Sequence, residues 1–391
     1  SADGIVFADF RSVKGGSLDA DAPSAALYPS GILGFNLRAS GGGVRCYKSS
    51  YDYGGNTPLA NVWVSQTGVK SDGSAYFLRK AQRKAVVVEL QAAITSNQEI
   101  RNEVNRFNIA AVPGYPELAD ELLTLGVDRK NTVFSIIDAP FRLASDSTSV
   151  KNWVNNSNNA VENGEDGLLS KSSEMAVYYP HGLTTNLDGQ NIMVPSSHMA
   201  LRTFAFNDQV SFPWFAPAGF QRGIVNNATS VGYLDAKEGE FEPVSLNEGQ
   251  RDAYYLNKVN PISNFPGRGI AVFGQKTLNA NASALDRVNV SRLIIYLREQ
   301  LDDAVKPLLF EQNDRITRNN AFGIVDRILG GLVASRGLFD YLVVCDDTNN
   351  TPARIDRNEL HIDIAVQPIK SVEFIYIPIR IQNTLGQTGN S

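Results

Sequence analysis

The chain has 391 residues, 43% of them hydrophobic and 20% charged, which is enough for two or three domains that each bury a core. Its formal net charge of -5 argues against a partner made of nucleic acid or anionic lipid, since both demand a surplus of Lys and Arg to displace counterions. No apolar run approaches the roughly 20 residues of a membrane span, Ser1-Ala2-Asp3-Gly4 is not a basic and apolar signal segment, and Cys46 and Cys345 form neither a CxxC pair nor a disulfide framework. A reduced compartment suits two such cysteines.

Ser1 stands where Met ordinarily comes first, and the strand-like Ile5-Val6-Phe7 follows at once, so the chain reads as cut from something longer. Up to about residue 100, Gly and Ser punctuate brief apolar runs such as Asn61-Val62-Trp63-Val64, and residues 1–105 read as a β-rich region. Gly41-Gly42-Gly43 is not a phosphate loop, because no GK[ST] follows. Arg79, Lys80, Arg83 and Lys84 beside Tyr76 and Phe77 read as a solvated face rather than a nucleic-acid patch.

From Arg106 the pattern turns to strand, helix, strand: Phe107 to Gly114, Pro116 to Leu125 with Gly126 as its stop, then Thr132 to Pro140. Continuous apolar strands joined through a helix predict a parallel pair buried on both faces. Ligands favour the carboxyl ends of such strands, which puts Gly114 and Asp138 under suspicion. Asp138 has the chemistry of a general base or metal ligand, but no His or second carboxylate lies at ligand spacing, and a structural cap is the plainer reading.

Residues 152–167 are polar and predict a solvent loop, in which Asn155-Asn156-Ser157 fits the glycosylation pattern by chance. Ser196-Ser197-His198 resembles fragments of a hydrolase, but the flanking residues do not form a GxSxG elbow, and either serine suits a helix cap. His181 and His361 lie elsewhere, so no metal site is expected.

A helix from about Asp286 carries Leu293, Leu297, Leu301 and Val305 at spacing four; a second, about Arg318 to Arg336, carries Ala321, Val325, Ile328 and Leu332 and ends at Gly337. Both should pack on a sheet made by the closing strands. There Leu360, Ile362, Ile364 and Val366 alternate with polar residues, and Phe374, Ile375, Tyr376, Ile377, Ile379 and Ile381 form an apolar strand that Pro378 marks as an edge.

Five ordered motifs carry a resemblance. They are Asp138-Ala139-Pro140; Ala176 to Pro180 with Val194 to Ala200; Phe212 to Gly219; Gly267 to Leu278 followed by Arg287-Val288-Asn289-Val290-Ser291-Arg292-Leu293; and Cys345-Asp346 through Asn349, Asn350 and Pro352 to Gln367-Pro368. In order and spacing the chain resembles a contractile phage tail sheath protein over roughly residues 106–381. The resemblance implies a mixed α/β multi-domain fold. Residues 106–284 would be an α/β core, and residues 285–391 a C-terminal domain of two long helices and terminal strands. The expected function is structural: a subunit that polymerises in stacked six-subunit rings around a tail tube and contracts to drive the tube through the host envelope.

By the same resemblance the partners are other sheath subunits, the tube protein, the baseplate and the tail terminator, in a virion assembled in the host cytoplasm. No cofactor, metal or catalytic residue is expected, and a chain lacking its N-terminal arm should stay monomeric. Phe374, Ile375, Tyr376, Ile377, Ile379 and Ile381 would form the strand exchanged between subunits, with Arg287, Arg292 and Arg298 facing the tube or a neighbour. The alternatives are the sheath of a related bacteriocin or secretion machine and, from another class, an α/β enzyme acting at Asp138.

Overall fold

The computed structural model describes residues 79–160, 164–235 and 240–373. Its helices are α1 (Arg79–Ser96), α2 (Ala119–Asp128), α3 (Ser147–Val154), α4 (Ser196–Val210), α5 (Glu248–Leu256), α6 (Val288–Val305) and α7 (Arg315–Ala334). The strands are β1 (Ile109–Ala111), β2 (Phe134–Asp138), β3 (Met175–Tyr179), β4 (His181–Thr185), β5 (Asn191–Val194), β6 (Ser230–Leu234), β7 (Phe241–Pro243), β8 (Val259–Phe265), β9 (Gly269–Val272), β10 (Leu338–Val344) and β11 (Asp363–Pro368).

Helix α1 corrects the β-rich expectation for the end of the first hundred residues; residues 1–78 lie outside the described chain. The stretch RKAQRKAVVVELQAAITS contains neither Gly nor Pro, and its Ala, Lys, Arg, Gln and Leu outweigh three successive valines. Val87 is 2% exposed while its neighbours Val86 and Val88 are 44% and 43% exposed, the signature of one helical face turned inward. The basic run on this helix also departs from a purely solvated face. Arg83 donates to Glu117 through Nε at 2.5 Å and through its second nitrogen at 2.8 Å, and to the Gly114 carbonyl at 2.7 Å.

The expected strand, helix, strand unit is present, with β1 and β2 paired in parallel and Ile109 opposite Phe134, but β1 is a half-buried edge strand and only β2 is covered on both faces. Strand β3 adds in parallel to β2, β8 in parallel to β3, and β9 closes the sheet antiparallel to β8, giving the order β1-β2-β3-β8-β9. Every residue of β2 and β3 is buried, as a central parallel strand requires. Alternate side chains divide between two cores. Ile137, Val177 and Tyr179 join Leu122, Trp153 and Tyr254 from α2, α3 and α5; Ile136, Ala176 and Tyr178 join Phe204 and Ile295 from α4 and α6. A second sheet, β5-β4-β6-β7, is antiparallel and continues from β3 through β4.

Three local expectations change. Gly126 lies inside α2, and the chain turns at Lys130 and Asn131, both left-handed at φ 58° and 55°. Residues 152–167 are not all solvent loop: Trp153 and Val154 end α3 in the core, and the Trp153 indole donates to the Gly164 carbonyl at 2.8 Å. Ser196 and Ser197 do not cap α4 with their own hydroxyls, which point elsewhere.

The long helices behave as predicted and carry more. On α6 Leu293 and Leu297 meet Val325, Leu329 and Leu332 of α7 and Leu338 and Val343 of β10 in a third core, with Leu301 and Val305 at its margin. A second stripe of α6, Val288 and Ile295 at spacing seven, belongs instead to the core under the five-stranded sheet. Helix α7 ends where expected, but Arg336 takes the left-handed position at φ 62° and the Gly337 amide donates back to the Leu332 carbonyl at 2.8 Å. Gly337 serves close packing: a Cβ there would stand 3.2 Å from both Leu293 Cδ1 and Trp214 Nε1. Gly337→Ala should therefore lose about 1 kcal/mol by overpacking, while Arg336→Gly should gain about 0.5 kcal/mol by relieving the left-handed backbone. Opposite shifts of the thermal midpoint for these adjacent substitutions check the assignment.

Candidate functional site

Asp138 at the end of β2 draws four donors onto one fully buried carboxylate. Oδ2 accepts from the Gly114 amide at 2.6 Å and from the Ser197 hydroxyl at 2.7 Å; Oδ1 accepts from the Ser196 hydroxyl at 2.6 Å and the Ser197 amide at 2.5 Å. The anion thus supplies from a distant strand the cap that Ser196 and Ser197 were expected to give α4, and it sits where the helix dipole favours negative charge. It also pins the Pro113-Gly114 turn, where φ of 83° suits glycine and a Cβ would lie 2.8 Å from the Phe141 ring.

His181 completes an apparent Ser-His-Asp constellation, but the connections are not those of an activated nucleophile. Its Nδ1 accepts the Ser196 backbone amide at 3.2 Å, so the imidazole holds the chain and does not take a proton from either hydroxyl. Ser196, Ser197 and His181 are all 0% exposed, which leaves no approach for a substrate. His198, the imidazole suggested by adjacency, is exposed on α4. Among the described residues no group of His, Cys, Asp and Glu is arranged to hold a metal ion.

Asp138→Ala should cost about 3–5 kcal/mol, because several donors lose a buried anion together; a thermal melt measures this. Burial lowers the His181 pKa from its ordinary 6.5, with Asp138 pulling the other way. The unfolded chain therefore takes up this proton first on acidification, so stability should fall as pH drops from 6.5 toward the lower folded value. His181→Asn keeps an acceptor and should flatten that part of the pH profile.

The C-terminal unit presents a different kind of site. Strands β10 and β11 form a two-stranded antiparallel sheet, with Tyr341 opposite Val366 and Val343 opposite Ile364, and among the described residues neither outer edge has a partner. One face packs on α6 and α7; on the other, Phe339 and Leu342 are 71% and 61% exposed. Nine of the nineteen large exposed hydrophobics among the described residues lie between Leu309 and Val372, well under a third of that chain, Phe310 among them at 102% exposure. Exposed large hydrophobics are thus concentrated in the C-terminal unit.

The connection between the two strands is rigid. Asn349 Nδ2 donates to the carbonyls of Val344 and His361 at 2.8 and 3.1 Å and to Asp363 at 3.0 Å; Asn350 Nδ2 donates to the His361 carbonyl at 2.9 Å and its Oδ1 accepts the His361 amide at 2.7 Å. The Cys-Asp and Asn-Asn motif is a stitch across the hairpin, and Cys345 is a buried free thiol within it.

The three arginines expected at an interface have internal partners. Arg292 is 3% exposed, pairs with Asp208 at 2.5 Å and lies 4.8 Å above the Phe204 ring, so it has no face to offer a tube or neighbour. Arg287 bonds Glu373 at 2.6 Å. Arg298 donates to the Asn131 carbonyl at 2.9 Å, near Glu174 at 3.4 Å, on the wall of a cleft of about 540 Å³ between residues 101–132, the second half of α6 and β11. The cleft rim is closed by ion pairs, Arg106 with Asp303 at 2.5 Å and Lys130 with Asp302 at 3.1 Å. Sequence reading missed these couplings because each joins residues far apart in the chain. The expected exchanged strand, Phe374, Ile375, Tyr376, Ile377, Ile379 and Ile381, lies outside the described residues.

Comparison with known proteins agrees with the motifs. Residues 280–382 match the phage tail sheath C-terminal domain. The chain is 39% identical over 186 residues to the tail sheath protein of Vibrio phage KVP40, covering 48% of this chain and 26% of that protein. With the tail sheath protein of Enterobacteria phage T4 it shares 35% over 171 residues, 44% of this chain and 24% of that one. The matched stretch thus spans about a quarter of these curated relatives. In fold it is similar to the contracted helical sheath of the anti-feeding prophage, with TM-score 0.57, 19% identity and 84% coverage of each chain. It is likewise similar to the contracted PVC sheath complex of an extracellular contractile injection system, with TM-score 0.57, 21% identity and coverage of 73% and 74%.

Proposed function

We propose, for a chain whose residues 280–382 match the phage tail sheath C-terminal domain and whose sequence relatives are phage tail sheath proteins, that it is a structural subunit of a contractile tail sheath. The observation that carries this reading is the β10-β11 sheet: two strands alone are marginal in water, both edges lack a partner among the described residues, and Phe339 and Leu342 extend an apolar face beside them. A strand from another subunit would complete it by backbone hydrogen bonding. Residues 374–381, with apolar side chains on both faces before Pro378, have the composition of such a donor.

In this reading subunits associate in stacked six-membered rings around a tail tube, between a baseplate and a terminator. Contraction then rotates rigid bodies whose linked strands keep neighbours joined. No chemical step is assigned to Asp138, whose role is to fasten α4 to the sheet. The sequence relatives are phage proteins, which favours a virion tail over a bacteriocin or secretion particle.

Electron microscopy of the protein at its natural length, expressed alone, should show hollow tubes of wide bore, and persistent monomers would overturn the sheath reading. Phe339→Asp with Leu342→Asp, or removal of residues 374–391, should abolish tubes while leaving the thermal midpoint of the subunit nearly unchanged. Normal tubes from the truncated chain would remove the donor role from that segment.

A further inference from the structure

Five residues after β11 ends at Pro368, the chain returns to the body, and Glu373 enters a cradle built by elements distant in sequence. Arg287 Nε, at the N-cap of α6, donates to Glu373 Oε1 at 2.6 Å; Gln275 Nε2 donates to the same oxygen at 3.0 Å. The Tyr255 ring of α5 lies against the same site, with Lys276 Nζ 4.3 Å above it and the Arg287 guanidinium 6.0 Å from its centroid, adding positive charge. The Glu373 side chain is 15% exposed and Gln275 is 4% exposed, although the adjacent Val372 is 81% exposed. A single carboxylate is thus drawn in from an otherwise exposed return strand.

The cradle itself is rigid. Gln275 accepts the Val288 amide at 2.8 Å through its carbonyl, Lys276 bridges Arg287, and the buried Asn260 side chain binds both the amide and the carbonyl of Lys276 at 2.6 and 2.8 Å. Thr277 Oγ1 donates to the Leu285 carbonyl at 2.7 Å. The Gly-Gln-Lys-Thr and Arg-Val-Asn-Val segments therefore have one geometric product: a carboxylate-holding site at the start of α6. A charge-assisted pair with one further donor is stronger than an exposed ion pair.

We infer that Gln275 and Arg287, backed by the Tyr255 ring, form a clamp for Glu373 that fixes the chain at residue 373, the root of the C-terminal segment. The inference rests on the sheath reading for its purpose. In that reading the clamp holds the root of the donor segment against the body of its own subunit. The clamp also ties the β10-β11 hairpin to the five-stranded body by a second route besides α6.

Trypsin reports on the root directly, because Lys370 is exposed and cleavage after it requires residues 371–373 to lift from the body. In the unassembled protein, Glu373→Gln and Arg287→Ala should each speed cleavage of the Lys370-Ser371 bond, followed by mass spectrometry. Roughly tenfold or more is expected for loss of a charge-assisted bond. The control Arg357→Ala, which removes an exposed pair with Glu359, should leave the rate unchanged. Equal rates in wild type and both clamp variants overturn the clamp. Tubes are scored separately in the protein at its natural length: their absence in wild type strikes the sheath reading alone, since the proteolysis still judges the clamp.

Discussion

Helix α6 belongs to two cores at once, and the relation of the C-terminal unit to the rest depends on that sharing. Val288 and Ile295 face the five-stranded sheet, while Leu293 and Leu297 face α7 and the terminal hairpin. Arg292 sits between the stripes, which would be costly were its guanidinium not paired with Asp208 and laid on Phe204. A helix clamped on both sides cannot shift toward one core without opening the other, so body and hairpin behave as one rigid piece. Rigid pieces with defined surfaces suit interfaces that have two discrete arrangements.

Polar groups complete that rigidity where apolar packing ends. The Asp138 carboxylate joins a turn, a strand and a helix start through four donors, and the amides of Asn260, Asn349 and Asn350 tie backbone segments together beside the ends of the strand ladders. Each is buried and hydrogen-bonded, as a low-dielectric interior demands. A Ser-His-Asp grouping by composition is here a structural knot, because both hydroxyls serve the carboxylate and the imidazole serves a backbone amide. What remains at the surface among the described residues is the two-stranded hairpin with the exposed Phe339 and Leu342.

The elements that could be read from the chain are those set by short-range periodicity. The spacing of Leu293 and Leu297, of Val325 and Leu332, and the alternation through Ile364 and Val366 each follow from helix and strand geometry, and they appear as predicted. The strand, helix, strand unit at 107–140 was equally legible, since parallel central strands are continuously apolar. Errors fell where local composition was ambiguous: three valines within an otherwise helix-favouring run, and glycines taken as stops when Lys130, Asn131 and Arg336 made the left-handed turns.

The sequence alone determined the class of the protein, the order of its main elements and the family to which its motifs pointed, because those depend on neighbours within a few residues of one another. Tertiary structure alone decided that Arg292 turns inward, that Arg287 meets Glu373 across 86 residues, and that Asp138 caps a helix beginning 58 residues later. The physical reason is one of range. A side chain's periodicity states which face is apolar, but a charge or an amide is fixed by whichever partner folding brings within about 3 Å, and no spacing in the chain encodes that encounter.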